Sequence, residues 1–208
     1  MEKTMKRLLV AAAVLAMGIG NAGASIIISL GGVVPDIQAG IWDWTYNAVL
    51  QPDQNMRADA VSGDFFTIYD VPGLLSSAFG GDLNAAVAGR TFTKSEQLIG
   101  LNPPGTAIPD DPTISNITVR LTGGGDVVPV AGSGPVQLGA VIIRSTTNLP
   151  VEANYGALAQ QKSNLADTAN VGSVLVPASA VPEPGSVTLM LVGLVALGAA
   201  AFRRRQAD

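Results

Sequence analysis

The chain has no cysteine and no histidine, and it is poor in aromatic residues (5%) and in charged residues (13%). Without cysteine there can be no disulfide, thiolate metal centre or cysteine nucleophile, and no lipid can be attached to a cysteine behind a leader. Without histidine there is no imidazole acid–base chemistry, no Ser-His-Asp triad and none of the usual zinc sites. The G-x-S-x-G elbow, the S-x-x-K pair and the P-loop are also missing. The expectation is therefore a protein that is not an enzyme, with no cofactor and no metal.

What is present is unevenly spread. Hydrophobic residues make up 48% of the 208, and the mean hydropathy is +0.37. Much of that comes from the two ends. Between them, Ser25–Val181 carries six basic and thirteen acidic residues, a net −7, against −4 for the whole chain. An acidic body argues against binding nucleic acid by charge.

The first 24 residues have the layout of a secretory signal peptide. Lys3, Lys6 and Arg7 form a basic start, Leu8–Ile19 is uncharged and apolar, and Ala22-Gly23-Ala24 is a small-x-small cleavage site before Ser25. The apolar run is too short to span a bilayer comfortably. Residues 1–24 are thus expected to form a signal helix handled by the Sec translocon and signal peptidase, with Ala22 and Ala24 at the cut.

The other end reads VPEPGSVTLMLVGLVALGAAAFRRRQAD. Val187–Phe202 carries no charge, and as a helix it would be roughly 24 Å long at about 1.5 Å per residue. That is short for a hydrocarbon core of about 30 Å, which suits a temporary anchor. Arg203, Arg204 and Arg205 follow directly and hold the tail on the cytoplasmic side, leaving the body outside. Pro182 and Pro184 fix their own φ and disfavour helix in the residue before each. Glu183 is thereby held in an extended strip, the shape a protease groove accepts.

Pro182-Glu183-Pro184, the apolar helix and the triple arginine together resemble the PEP-CTERM sorting signal of Gram-negative bacteria. The resemblance implies recognition by an exosortase-type membrane protease, removal of the tail, and delivery of the body to the cell surface or the extracellular space. It also implies an association with exopolysaccharide and biofilm matrix. The run Trp42–Asp70 is more loosely similar to the opening of other exported proteins with this tail.

The middle alternates as strands do. In Ile41–Ala48, Trp42, Trp44, Tyr46 and Ala48 fall on one face, and Asp43, Thr45 and Asn47 on the other. Phe65–Tyr69, Ile117–Thr122, Val136–Arg144, Val171–Val176 and Ile26–Leu30 are further predicted strands. Val136–Arg144 reads as buried on both faces. Glu152–Asn164 fits either a short helix or a strand. The 24 glycines and 13 prolines cluster between these runs, as at Val71-Pro72-Gly73 and Asn102-Pro103-Pro104-Gly105. Leu101–Thr113 reads as an exposed loop. The expected fold is mainly β: a single antiparallel β-sandwich, jelly-roll-like, over 25–176. A Pro-rich stalk with the sorting motif follows at 177–186, then a transmembrane helix and basic tail at 187–208.

Candidate chemistry in the body is thin. Trp42, Trp44 and Tyr46 form a candidate sugar platform, since flat rings stack on sugars; the plainer reading puts them in the core. Asp53, Asn55, Asp59 and Asp64 are dense enough in oxygen for Ca²⁺, but Arg57 and Ala58 spoil an EF-hand loop, and solvated turns are preferred. Asp110-Asp111 reads as a charged loop, and Asn116-Ile117-Thr118 is a glycosylation sequon. The leading expectation is a non-catalytic surface or matrix protein. A carbohydrate-binding module is the alternative, and a carboxylate-based polysaccharide hydrolase the third.

Overall fold

The computed structural model describes residues 25–37, 39–80 and 87–178. The expected signal helix at 1–24, and the sorting strip, membrane helix and basic tail within 179–208, lie outside the described residues. Ten strands follow in order: β1 (Ile26–Asp36), β2 (Ile41–Leu50), β3 (Gln54–Asn55), β4 (Phe65–Ile68), β5 (Leu74–Gly80), β6 (Thr91–Gln97), β7 (Asn116–Gly123), β8 (Val136–Ser145), β9 (Pro150–Gln161) and β10 (Asp167–Pro177). Among the described residues there is no helix. Glu152–Asn164, open to either reading in the sequence, is mostly strand β9.

The strands form two antiparallel sheets. One has the order β1-β2-β8-β5; the other has the order β10-β9-β4-β7-β6, with β3 added beside β9. The arrangement is consistent with a β-sandwich, and side chains from both sheets share one core. Trp44, Tyr46, Leu138, Val141 and Ile143 meet it from the first sheet; Phe66, Ile68, Ile117, Val119, Leu121, Tyr155 and Val176 meet it from the second. Alternation explains which residues go inward: along β2, every second residue from Trp44 to Leu50 is buried.

Strand β8 departs from expectation. It is buried on one face, with Gln137 and Arg144 exposed. The register skips a residue here, because Ala48 faces Gly139 and Val49 faces Gln137. This bulge, with Gly139 at φ 130°, shifts the alternation from Leu138 to Val141 and Ile143. A stretch that reads as continuously apolar is thus a one-sided strand with its phase reset halfway.

The segment Leu101–Thr113 is only partly the exposed loop expected. Pro103 and Ile108 are buried against the outer side of the second sheet. There, a methyl group on Gly156 would stand 2.5 Å from Ile108 Cδ1 and would push that side chain aside. Thr67 Oγ1 donates to Leu101 O (3.2 Å), and Tyr69 Oη donates to Asn102 Oδ1 (2.9 Å). Asp110 accepts from Gly100 N and Asn116 Nδ2, both at 2.8 Å. The loop is a lid on the sheet, tied by polar groups.

Candidate functional site

The last described residues, up to Ala178, are held by the final strand. In β10, Pro177 pairs with Pro150 of β9, and Ala178 N donates to Leu149 O at 2.7 Å. The β8–β9 turn supplying that carbonyl is itself held. Trp44 Nε1 donates to Thr147 O (3.0 Å), Thr147 N to Ser145 Oγ (3.3 Å) and Leu149 N to Thr147 Oγ1 (3.1 Å). On the other side, a methyl built on Gly73 would lie 3.5 Å from Ala178 O. A recess of about 240 Å³, lined by Val71–Leu74 and Thr113–Ser115, adjoins this point. The Leu149 side chain is 63% exposed there.

The body's two termini leave from opposite ends. Gln51 N donates to Ser25 O, and Ile26 pairs with Leu50 at the start of β1. Asn170, seven residues before Pro177 on β10, bonds Ser25 and Ile26. Ser25 therefore lies near the beginning of β10, and Ala178 follows its end.

The three aromatic candidates share a face, as alternation predicts, but that face points inward. Trp44 and Tyr46 are each 1% exposed, and Trp42 is half-buried against the core. Tyr46 Oη donates to Leu175 O at 3.0 Å, and burial pushes its phenol well above the ordinary pKa. A ring must show an open face to stack on a sugar, and Trp44 and Tyr46 have none.

The oxygen-rich span divides. Asp59 is an exposed turn cap, accepting from Val61 N (2.8 Å) and Ser62 N (2.7 Å), and these bonds lower its pKa. Asp64, expected in a solvated turn, is instead fully buried at the start of β4. Burial pushes its pKa up to about 6, although Arg57 N donates to Oδ2 at 2.7 Å and the Arg57 guanidinium stands 3.6 Å from Oδ1. Asp64 faces the core because the inward phase of Phe66 and Ile68 extends back to it. Among the described residues, no group of three or more acidic side chains is placed to hold a metal.

Two further expectations meet the structure here. Asp110 and Asp111 are structural: Asp111 accepts from Thr113 N and Oγ1, and Asp111 N donates to Asp70 Oδ1. Asn116 of the sequon is fully buried. Its Nδ2 donates to Leu98 O and Asp110 Oδ1, and its Oδ1 accepts from Asp70 N, which leaves no amide for a glycan.

The sorting residues Pro182, Glu183 and Pro184, the arginines 203–205 and the leader residues Ala22 and Ala24 lie outside the described residues. Covalent geometry still limits the first of them. Four residue steps separate Ala178 from Pro182, a reach of at most about 14 Å. Sequence reasoning missed Leu149 and Gly73 as neighbours of the exit, because no local pattern marks them; only strand register brings them together.

A search of curated proteins finds no match to the chain. Residues 180–205 match the PEP-CTERM protein-sorting motif. That stretch contains the Pro-Glu-Pro strip, the apolar run and the three arginines, and it begins two residues after Ala178, the last described residue. The motif marks the chain as an exported protein, anchored at the membrane before an exosortase-type membrane protein processes it.

Proposed function

We propose that the body is a non-catalytic component of the cell surface or extracellular matrix, delivered there by exosortase-type processing and associated with exopolysaccharide. Translocation through Sec and leader removal by signal peptidase come first. The body then stands on the periplasmic side of the inner membrane until the tail is removed. The observation carrying this reading is the match at residues 180–205, attached to an acidic, all-β body. It is supported by the structural use of the body's carboxylates: Asp110, Asp111 and Asp59 bind backbone amides, and Asp43 pairs with Arg144 at 3.2 Å. The strands cross repeatedly between the two sheets, which supports a jelly-roll-like sandwich.

Deleting residues 180–205 tests the sorting step. The expected outcome is loss of the body from the cell surface and medium, with the truncated body left in the periplasm. Mass spectrometry of the released wild-type protein should find no peptide containing Val192 or Arg203. An intact tail on released protein would overturn processing. Failure to sediment with the producing strain's exopolysaccharide would overturn the matrix association alone.

A further inference from the structure

Resting on the sorting reading, we infer that the exit end of the body is itself a contact surface for the processing enzyme, with Leu149 as its apolar contact. The first ground is reach. An enzyme groove that holds Pro182–Pro184 begins no more than about 14 Å from Ala178. A membrane protease is wider than that, so engagement of the strip brings the enzyme against whatever surrounds Ala178.

The second ground is rigidity. Ala178 is pinned by Leu149 O, Leu149 N is pinned by Thr147, and Thr147 O is pinned by the Trp44 indole in the core. Ala178 is thereby fixed relative to the core. Its surroundings are presented in a constant orientation, which lowers the ordering cost of docking.

The third ground is chemistry. Leu149 is 63% exposed although its backbone is fully engaged, and on the other side of Ala178 Gly73 lines the recess of about 240 Å³. An exposed apolar side chain gains by being covered, because removing its surface from water is favourable. The enzyme is favoured over the bilayer as occupant. The apolar run begins at Val187, nine steps from Ala178 and up to about 30 Å away, so the tether does not force the body onto lipid. The body's charge of −7 also opposes contact with an anionic bilayer.

The test uses the full chain in cells that make a tagged exosortase-type enzyme. Leu149→Asp keeps both backbone bonds and alters an exposed side chain, so the fold should survive. It should slow tail removal roughly five- to tenfold. Val130→Asp, at a 75% exposed site near the opposite end, should process at the wild-type rate. A flexible linker of about twelve residues after Ala178 should abolish the difference between Leu149→Asp and wild type, because docking is then no longer enforced. A benzophenone side chain at position 149 should crosslink to the tagged enzyme. Equal processing of Leu149→Asp and wild type, or adducts to lipid alone, would overturn the contact. A wild-type tail that is never removed would instead overturn the sorting reading beneath it.

Discussion

Along the β1–β10 side of the sandwich, the half-buried amide of Asn170 joins the two sheets. Asn170 Oδ1 accepts from Ser25 Oγ (2.5 Å) and Ile26 N (3.3 Å), and its Nδ2 donates to Ile26 O (2.9 Å). The amide thus stands in for a neighbouring strand. Along the β5–β6 side, the same task falls to charged groups in contact with water. Ser77 N donates to Glu96 Oε1 (3.0 Å), and Lys94 Nζ donates to Ser77 O and Oγ and to Glu96. Both devices satisfy the open edge of the first sheet, which would otherwise pair with other chains. They differ in what they withstand: a neutral amide carries no charge for salt to screen, whereas an exposed ion pair is screened by it.

The comparison is broken most directly at Asn170. Asn170→Ala strips three hydrogen bonds and leaves the buried Ile26 amide and carbonyl without partners. The expected cost is about 2–3 kcal/mol in denaturant melts, unchanged between low and high salt. A cost no larger than that of a Glu96 variant would erase the distinction.

Acid titration sharpens it, provided Asp64 is handled first. Burial raises the Asp64 pKa from 3.8 to about 6, so its contribution to stability is full below about pH 4 and is lost as pH rises through 6. Stability should fall by on the order of 2 kcal/mol from pH 4 to pH 7, at about 1.4 kcal/mol per pKa unit. Asp64→Asn, which keeps an acceptor for Arg57 N, should flatten that slope. A slope unchanged by this variant would show that other groups carry it.

Glu96 has the opposite sign and the smallest effect. Its partial burial opposes ionisation, but the bonds from Ser77 and Lys94 outweigh this and hold its pKa below the ordinary value. Its contribution is therefore present above the ordinary carboxylate pKa and is lost as pH falls through the lowered one. Glu96→Gln in the Asp64→Asn background should cost under about 1 kcal/mol at neutral pH, less in high salt, and nothing in strong acid. A salt-independent loss would place this side in the same class as the Asn170 side.

The two sides were also unequally legible in sequence. β1, β2, β8 and β10 announce themselves by apolar alternation or β-branched runs. β5 (LLSSAFG) and β6 (TFTKSEQ) do not, because edge strands that carry their own polar clasp turn few side chains into the core. The aromatic alternation of β2 was legible, but a sugar platform and a core stripe share one sequence pattern; only burial separates them. Asp64 and Asn116 read as turn or surface residues. Asp64 is buried by the strand phase of β4, and Asn116 by the loop whose Leu98 carbonyl and Asp110 carboxylate take its amide.

By itself, the sequence determined the sorting tail. Such a signal is a contiguous string of prolines, apolar residues and arginines, so it is legible in the sequence without a fold. Only the tertiary structure decided what surrounds Ala178, the last described residue before that tail: Leu149, bonded to it, and Gly73, at the far end from Ser25, with the turn behind them held by the Trp44 indole. Gly73 lies 105 residues before Ala178 and Trp44 lies 103 before Thr147, and no local pattern encodes such distances.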